Sequence, residues 1–193
     1  MEQFYTIQGE GVHQGKAAYF IRLGGCDVGC VWCDVKESWD ADVHPKKQVE
    51  NLVQEAKAHQ GKIVVVTGGE PLMYDLSHLT ESIQTAGLRT HVETSGAHPL
   101  TGKWDWVCLS PKKFKLPLED FYPVADELKI IVYNKHDFKW AEEHAAKVKE
   151  NCNLLLQPEW SKEKEMIPLI VDYVKENPQW RISLQTHKYL DVP

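Results

Sequence analysis

Ile63-Val64-Val65-Val66-Thr67, running straight into Gly68-Gly69-Glu70-Pro71, is the stretch on which the fold turns. An unbroken β-branched run does not alternate apolar and polar residues. It therefore reads as a strand buried on both faces, the kind found in parallel sheets. Outward from it, Tyr19-Phe20-Ile21-Arg22-Leu23 reads as a second strand, and residues 89–93, 106–109, 128–133, 153–157 and 181–185 as five more. Helix-period stripes lie between them: Val49, Leu52, Val53 and Ala56; Leu76, Leu79 and Ile83, with Asp75 as N-cap; Trp140, Ala141, His144, Ala145 and Val148. A last stripe is Ile167, Ile170, Val171 and Val174, with Ser161 before it and Pro178 after it. Strands alternating with helices predict an α/β fold with a mostly parallel sheet. Some successive strands have no stripe between them, so the helix count falls short of a full eight-unit barrel. The 193 residues read as a single domain, 1–193, without repeats or low-complexity linkers.

Composition narrows the function classes. Hydrophobic residues make up 42% and charged residues 26%, as in an ordinary globular protein. The formal net charge of −6 argues against a broad nucleic-acid surface. No apolar run is long enough for a bilayer, and Met1-Glu2-Gln3-Phe4-Tyr5 lacks the basic start and apolar stretch of a signal peptide. The expectation is a cytoplasmic chain without membrane or nucleic-acid partners. In that reducing compartment clustered cysteines favour metal over disulfides. Cys108 and Cys152 sit in apolar strand-like runs and read as small buried hydrophobes, and most of the seven tryptophans read as core.

The chemistry begins at Gly24-Gly25-Cys26-Asp27-Val28-Gly29-Cys30-Val31-Trp32-Cys33-Asp34, a CxxxCxxC spacing with no fourth cysteine nearby. Three thiolates can hold three irons of a cubane cluster and leave the fourth open to a ligand. A structural zinc knuckle is the other reading, with His13 or His44 as fourth ligand in a non-catalytic binding module. The loops after successive strands also carry polar residues: Gly68-Gly69-Glu70-Pro71 after Thr67, Thr94-Ser95-Gly96 after Glu93, Ser110-Pro111-Lys112 after Leu109, and Pro158 after Gln157. Parallel α/β folds gather their sites on that edge, where the loops converge.

The cysteine spacing, the aromatic Trp32 before the last cysteine and Gly68-Gly69-Glu70 after the next strand resemble the radical S-adenosylmethionine superfamily. The wider series resembles the 7-carboxy-7-deazaguanine synthase family over essentially the whole length. That series runs from Phe4-Tyr5-Thr6-Ile7-Gln8-Gly9-Glu10-Gly11 through Glu93-Thr94-Ser95-Gly96, Ser110-Pro111-Lys112, Glu127-Leu128-Lys129 and Leu156-Gln157-Pro158. It closes on Gln185-Thr186-His187-Lys188-Tyr189-Leu190-Asp191-Val192-Pro193. The resemblance implies an abridged, open (β/α) barrel and a homodimer. It implies a 4Fe–4S cluster, S-adenosylmethionine and Mg²⁺ as cofactors. The implied reaction is a radical ring contraction of 6-carboxy-5,6,7,8-tetrahydropterin to 7-carboxy-7-deazaguanine with loss of ammonia, on the route to queuosine. A flavodoxin- or ferredoxin-type electron donor is the implied redox partner. A small radical-activating enzyme acting on a protein partner shares the cysteine motif, but leaves Gln8-Gly9-Glu10-Gly11 and the C-terminal segment unexplained.

Carried over residue by residue, the resemblance implies that Cys26, Cys30 and Cys33 ligate the cluster. It places S-adenosylmethionine against Trp32, Cys33, Asp34, Gly69, Ser110, Pro111, Lys112, Gln157, Pro158 and Glu159. It places the pterin against Ile7, Gln8, Gly9, Glu10, Arg22, Thr67 and Pro193, the last through its α-carboxylate. Read without it, Gln8 and Glu10 are plain loop polars, and Arg22 pairs structurally with Glu93. One departure stands out. Many members carry Thr or Ser after the Cys-Asp pair as a Mg²⁺ ligand, where this chain has Val35. A valine cannot ligate a hard cation, so either Asp34 with substrate and water holds the ion or Mg²⁺ dependence is weakened.

Overall fold

The computed structural model describes residues 2–33 and 35–193. The roles expected of Asp34 lie outside the described residues. One eight-stranded sheet runs in chain order, β1 to β8. The strands are β1 (Glu2–Ile7), β2 (Ala17–Leu23), β3 (Ile63–Gly68), β4 (Arg89–Thr94), β5 (Trp106–Leu109), β6 (Glu127–Val132), β7 (Asn153–Pro158) and β8 (Trp180–Ile182). Strand β1 pairs antiparallel with β2, and every later pairing is parallel. The order ends on β1 and β8, so the sheet curls without closing, as an open barrel does. The helices are α1 (Val49–Lys57), α2 (Ser77–Thr85), α3 (Asp137–Ala145), α4 (Glu163–Glu176) and the short α5 (Thr186–Leu190). Between β4 and β5 the described residues hold no helix, and between β5 and β6 only a single 3₁₀ turn, Glu119–Phe121. No helix among the described residues is long and apolar enough to cross a membrane.

The β-branched run explains the two layers. Val64 and Val66 face the helices and pack with Tyr19, Ile21, Leu52, Val53 and Ala56 in the main core. Ile63 and Val65 face the other way, into a smaller cluster with Ala18 and Phe20. That inner side is apolar only near the strand starts. Towards the C-terminal ends its positions become Arg22, Thr67, Glu93, Lys129 and Gln157, and these line one cavity. Period-two alternation therefore places apolar residues outward under the helices and polar ones inward above the small cluster.

The hairpin between β1 and β2 enters this barrel as a plug. Gly11 N donates to Ser183 Oγ at 2.9 Å, and Val12 N donates to Glu127 Oε2 at 3.0 Å. His13 packs against Trp106, tilted by 43° with centroids 4.4 Å apart, and meets His91 edge-on at 4.6 Å. Gly11 has φ +70, and a Cβ there would overlap the Glu127 carboxylate, so only glycine fits. Thr186 N and Oγ1 both donate to Gly9 O, at 2.9 and 2.8 Å, which ties the C-terminal segment to the same hairpin.

Several expectations shift. Strand β1 has no counterpart in the sequence reading, and β8 starts one residue earlier than expected and stops at Ile182. Asp75 does not cap α2 directly. The N-cap is Leu76, and Asp75 Oδ1 accepts from Ser77 N at 2.9 Å and Ser77 Oγ at 2.6 Å, one residue ahead of the cap. In α4 the buried face is Met166 and Ile170, with Val171 37% exposed, because Tyr173 turns inward to stack on Phe138. Cys152 joins the main core as read, whereas Cys108 faces the polar interior and its Sγ donates to Glu127 Oε1 at 3.4 Å. Trp180 is core, while Trp39 and Trp160 are exposed.

Ser183 is 1% exposed and bridges the plug to the sheet, accepting from Gly11 and donating to Gln157 Oε1 at 2.7 Å. Ser183→Ala leaves a buried donor and a buried acceptor unmatched, so urea unfolding should show a loss of about 1–3 kcal/mol. An unchanged midpoint would mean that the plug is held by something else.

Candidate active site

The C-terminal edge of the sheet opens into a cavity of about 260 Å³. Cys26, Cys30, Trp32 and Cys33 line it from the loop after β2, Thr67 and Gly69 from the end of β3, and Ser110 and Lys112 from the loop after β5. Gln157, Pro158 and Glu159 line it from β7 and the turn after it. The hairpin adds Ile7, Gln8, Gly9 and Glu10, the sheet adds Arg22, and the C-terminal segment adds Pro193. Pro111 is the exception among the described candidates. It lines an adjoining cavity of about 390 Å³ that shares Trp32, Lys112 and Ile131 with the first.

Two loops meet at the cysteine wall. Gly69 N donates to Leu23 O and Glu70 N to Gly25 O, both at 2.9 Å. A Cβ on Gly69 would overlap the Gly25 carbonyl and crowd Cys26 Cβ, so the glycine pair is what lets the turn lie against the cysteine loop. Glu70 is buried beneath this contact and accepts four hydrogen bonds. They come from Thr94 Oγ1 at 2.6 Å, Ser95 Oγ at 2.5 Å, Ser95 N at 2.8 Å and Leu72 N at 3.2 Å. One carboxylate thus joins the loops after β3 and β4, while its own backbone holds the loop after β2. Burial pushes the Cys26 thiol up, and Cys30 to about 11. These thiols become good anions when a cation sits against them, and a metal deprotonates a coordinating thiol outright. Among the described residues no three His, Cys, Asp or Glu side chains are gathered around one point as a single ion requires. In a cubane each thiolate caps a different iron, so the three stand further apart.

The opposite wall is a charge network. Lys129, 4% exposed, pairs with Glu10 Oε2 and, at 3.2 Å, with Glu93 Oε2. Gln8 Nε2 donates to Glu93 Oε1 at 2.8 Å, Gln8 Oε1 accepts from Glu10 N at 3.1 Å, and Gln185 Nε2 donates to Glu10 Oε1 at 2.8 Å. Burial would raise the Glu10 carboxyl, but the Lys129 charge and hydrogen bonds from Lys129, Gln185 and Gln157 outweigh it and hold Glu10 at about 2. Its contribution to stability is therefore complete at neutral pH and is lost only as pH falls from 4.5 towards 2. Burial would lower the Lys129 ammonium, and Glu10 and Glu93 hold it well above the ordinary range. Among the described residues Lys112 forms no ion pair with a carboxylate. It donates to Ser110 O at 2.6 Å and Ser110 Oγ at 2.7 Å, and burial lowers its pKa.

Arg22 does not pair with Glu93. Its Nη1 donates to Glu2 Oε1 at 2.8 Å, and its guanidinium lies 5.1 Å over Phe4, because β1 runs beside β2 and brings both residues alongside. Glu93 is taken by Lys129 and Gln8 instead. Glu70, Glu93, Lys129 and Gln185 line the cavity without having been singled out as site residues. Their signal is parity: Glu93 shares its strand face with His91 and Lys129 shares its own with Glu127, inward positions where an unpaired charge is costly.

A model of the Radical SAM superfamily matches residues 20–157. A 7-carboxy-7-deazaguanine synthase of Flavobacterium psychrophilum is 62% identical over 193 residues, covering 100% of this chain and 91% of the relative. One from Synechocystis is 52% identical over 191 residues, covering 99% and 91%. The chain belongs to the radical SAM superfamily and, within it, to the 7-carboxy-7-deazaguanine synthase family. The crystal structure of QueE from Escherichia coli superposes with a TM-score of 0.84 at 31% identity, covering 96% of this chain and 92% of that one. The shared architecture is the open, mostly parallel barrel. Superfamily membership implies a 4Fe–4S cluster and S-adenosylmethionine, and the three thiols on one cavity wall fit the cluster. It replaces both other readings of the cysteine loop, the zinc module and the activating enzyme.

Glu70 accepts from every side and has no place for a donor. Glu70→Gln should lower stability by about 1–3 kcal/mol and loosen the cysteine wall, giving less iron and sulfide per chain after anaerobic reconstitution. Wild-type stability and iron content in this variant would show that the carboxylate does not hold the loops together.

Proposed function

We propose that this chain converts 6-carboxy-5,6,7,8-tetrahydropterin to 7-carboxy-7-deazaguanine with release of ammonia, the activity for which its relatives are named. The supporting observation is that the cysteine wall and the Glu10–Lys129–Glu93 wall line one cavity. Cys26, Cys30 and Cys33 hold the cluster. When bound, it supplies the electron that cleaves a carbon–sulfur bond of S-adenosylmethionine and so starts radical chemistry on the pterin.

The chain's own residues bind and orient. Trp32 and Cys33 line S-adenosylmethionine near the cluster, Gly69 meets its amino-acid end, and Ser110 and Lys112 meet its more distal parts. Gln157, Pro158 and Glu159 contact its adenosyl side, and Pro111 reaches it from the adjoining cavity. Gln8 and Glu10 accept from the pterin's N–H edge, with Ile7, Gly9 and Thr67 packing around it. Arg22, with one nitrogen on Glu2, offers its remaining donors to the pterin carboxylate. Pro193, which lines the cavity, contacts the same edge. A homodimer and a flavodoxin- or ferredoxin-type electron donor complete the proposal.

Anaerobic reconstitution with iron and sulfide, followed by S-adenosylmethionine, reductant and the carboxypterin, should yield 7-carboxy-7-deazaguanine and ammonia by mass and ammonia assay, in excess of the S-adenosylmethionine consumed, because substrate and product differ by ammonia alone. Formation of 5′-deoxyadenosine without the deazapurine would assign a different substrate.

Position 35 does not fit a hydroxyl-ligated Mg²⁺. Val35 lines the cavity, and its carbonyl accepts from Ser38 Oγ at 2.7 Å. Turnover should fall less on Mg²⁺ removal in the wild type than in Val35→Thr, which restores a hard ligand. Equal loss in both proteins would mean that the side chain at 35 does not bear on the ion.

A further inference from the structure

Lys129 is a buried cation in the cavity, 4% exposed, and nothing in the cofactor or cluster contacts requires it. It rises from β6 between Glu10 on the hairpin and Glu93 on β4. Cys108 and Glu127 also act on it from β5 and β6, Lys112 acts from the loop after β5, and Arg22 and His187 share the cavity. Two carboxylates this close in a buried site would not both stay ionised alone. One would keep a proton and present a donor to the ligand. With an ammonium between them, both remain acceptors. Gln8 adds to this order, since its amide donates to Glu93 and its oxygen accepts from Glu10 N.

We propose that Lys129 is a positioning residue that sets substrate specificity: its ammonium keeps Glu10 and Glu93 as obligate acceptors, so the cavity takes the donor-bearing 2-amino edge of a pterin and rejects the 2-oxo edge of a lumazine. This rests on the pterin reading above. A carboxylate facing a carbonyl oxygen has neither a hydrogen bond nor water, which is the arrangement by which a polar site rejects an analogue most strongly. Lys129 acts through the two glutamates and transfers no proton itself. Its effect is on which ligand binds and at which pH.

The test measures equilibrium binding, by tryptophan fluorescence, to the anaerobic cluster-loaded enzyme with S-adenosylmethionine and no reductant. The ligands are the 6-carboxytetrahydropterin and its 2-oxo lumazine counterpart. Wild type should prefer the pterin by a ratio that stays flat between pH about 6 and 9, because the Lys129 charge holds the Glu10 carboxyl far below that window. Lys129→Gln keeps hydrogen bonds to both carboxylates but loses the charge. Its preference should fall at least about tenfold as pH drops across that window, while Lys129→Arg keeps the flat profile. A Lys129→Gln protein that folds and retains the wild-type preference at all pH values overturns the proposal. So does a wild-type preference that itself bends near neutrality, a result that needs no variant to fold. A wild type that binds neither ligand overturns the pterin reading as well, whereas pterin binding without discrimination removes only the role of Lys129.

Discussion

Everything at the working edge of this barrel depends on one close approach, that of the Gly68-Gly69-Glu70 turn to the loop carrying Cys26. Backbone meets backbone there, Gly69 against Leu23 and Glu70 against Gly25, with no room for a Cβ. The Glu70 carboxylate then extends the contact to Thr94 and Ser95. The loops after β2, β3 and β4 are thereby held as one wall. A cluster held by only three thiolates needs such a wall, because the protein must hold it in place and still leave one iron without a protein ligand.

The facing wall solves a different problem. An open sheet leaves a polar interior partly uncovered, and the β1–β2 hairpin and the C-terminal segment cover it together. Ser183, Gln157, Gly11 and Glu127 join hairpin to sheet. Gln185 and Thr186 join the C-terminal segment to hairpin. The charges inside are compensated within this closure, with Lys129 between Glu10 and Glu93. Breaking one member of a buried pair costs about 3–5 kcal/mol, so the same contacts that shape the cavity also hold the plug in place.

Much of this is legible in the sequence, and what is not has physical causes. The run at Ile63 is β-branched throughout, so the buried parallel strand needs no tertiary knowledge. Strand β1 is invisible because its residues are half-exposed and mixed, and its pairing with β2 exists only once the hairpin folds. That pairing also redirects Arg22 to Glu2, which no local pattern could disclose. The face of α4 is displaced because Tyr173 finds a ring to stack on in α3. The cysteine spacing marks its site from sequence alone, since three thiols in one loop are rare and their chemistry is narrow. Lys129 and Glu93 carry a weaker signal, because charges on inward positions disclose their purpose only when the strands that face each other are known.

The central claim is that the protein leaves one iron of its cluster for S-adenosylmethionine. The most direct measurement is electron paramagnetic resonance of the reduced, anaerobic protein before and after S-adenosylmethionine is added. The g-values of the cluster signal should shift on addition, as the ligand reaches the open iron. A spectrum unchanged by saturating S-adenosylmethionine, or a folded protein that holds zinc and takes up no iron and sulfide, would contradict it.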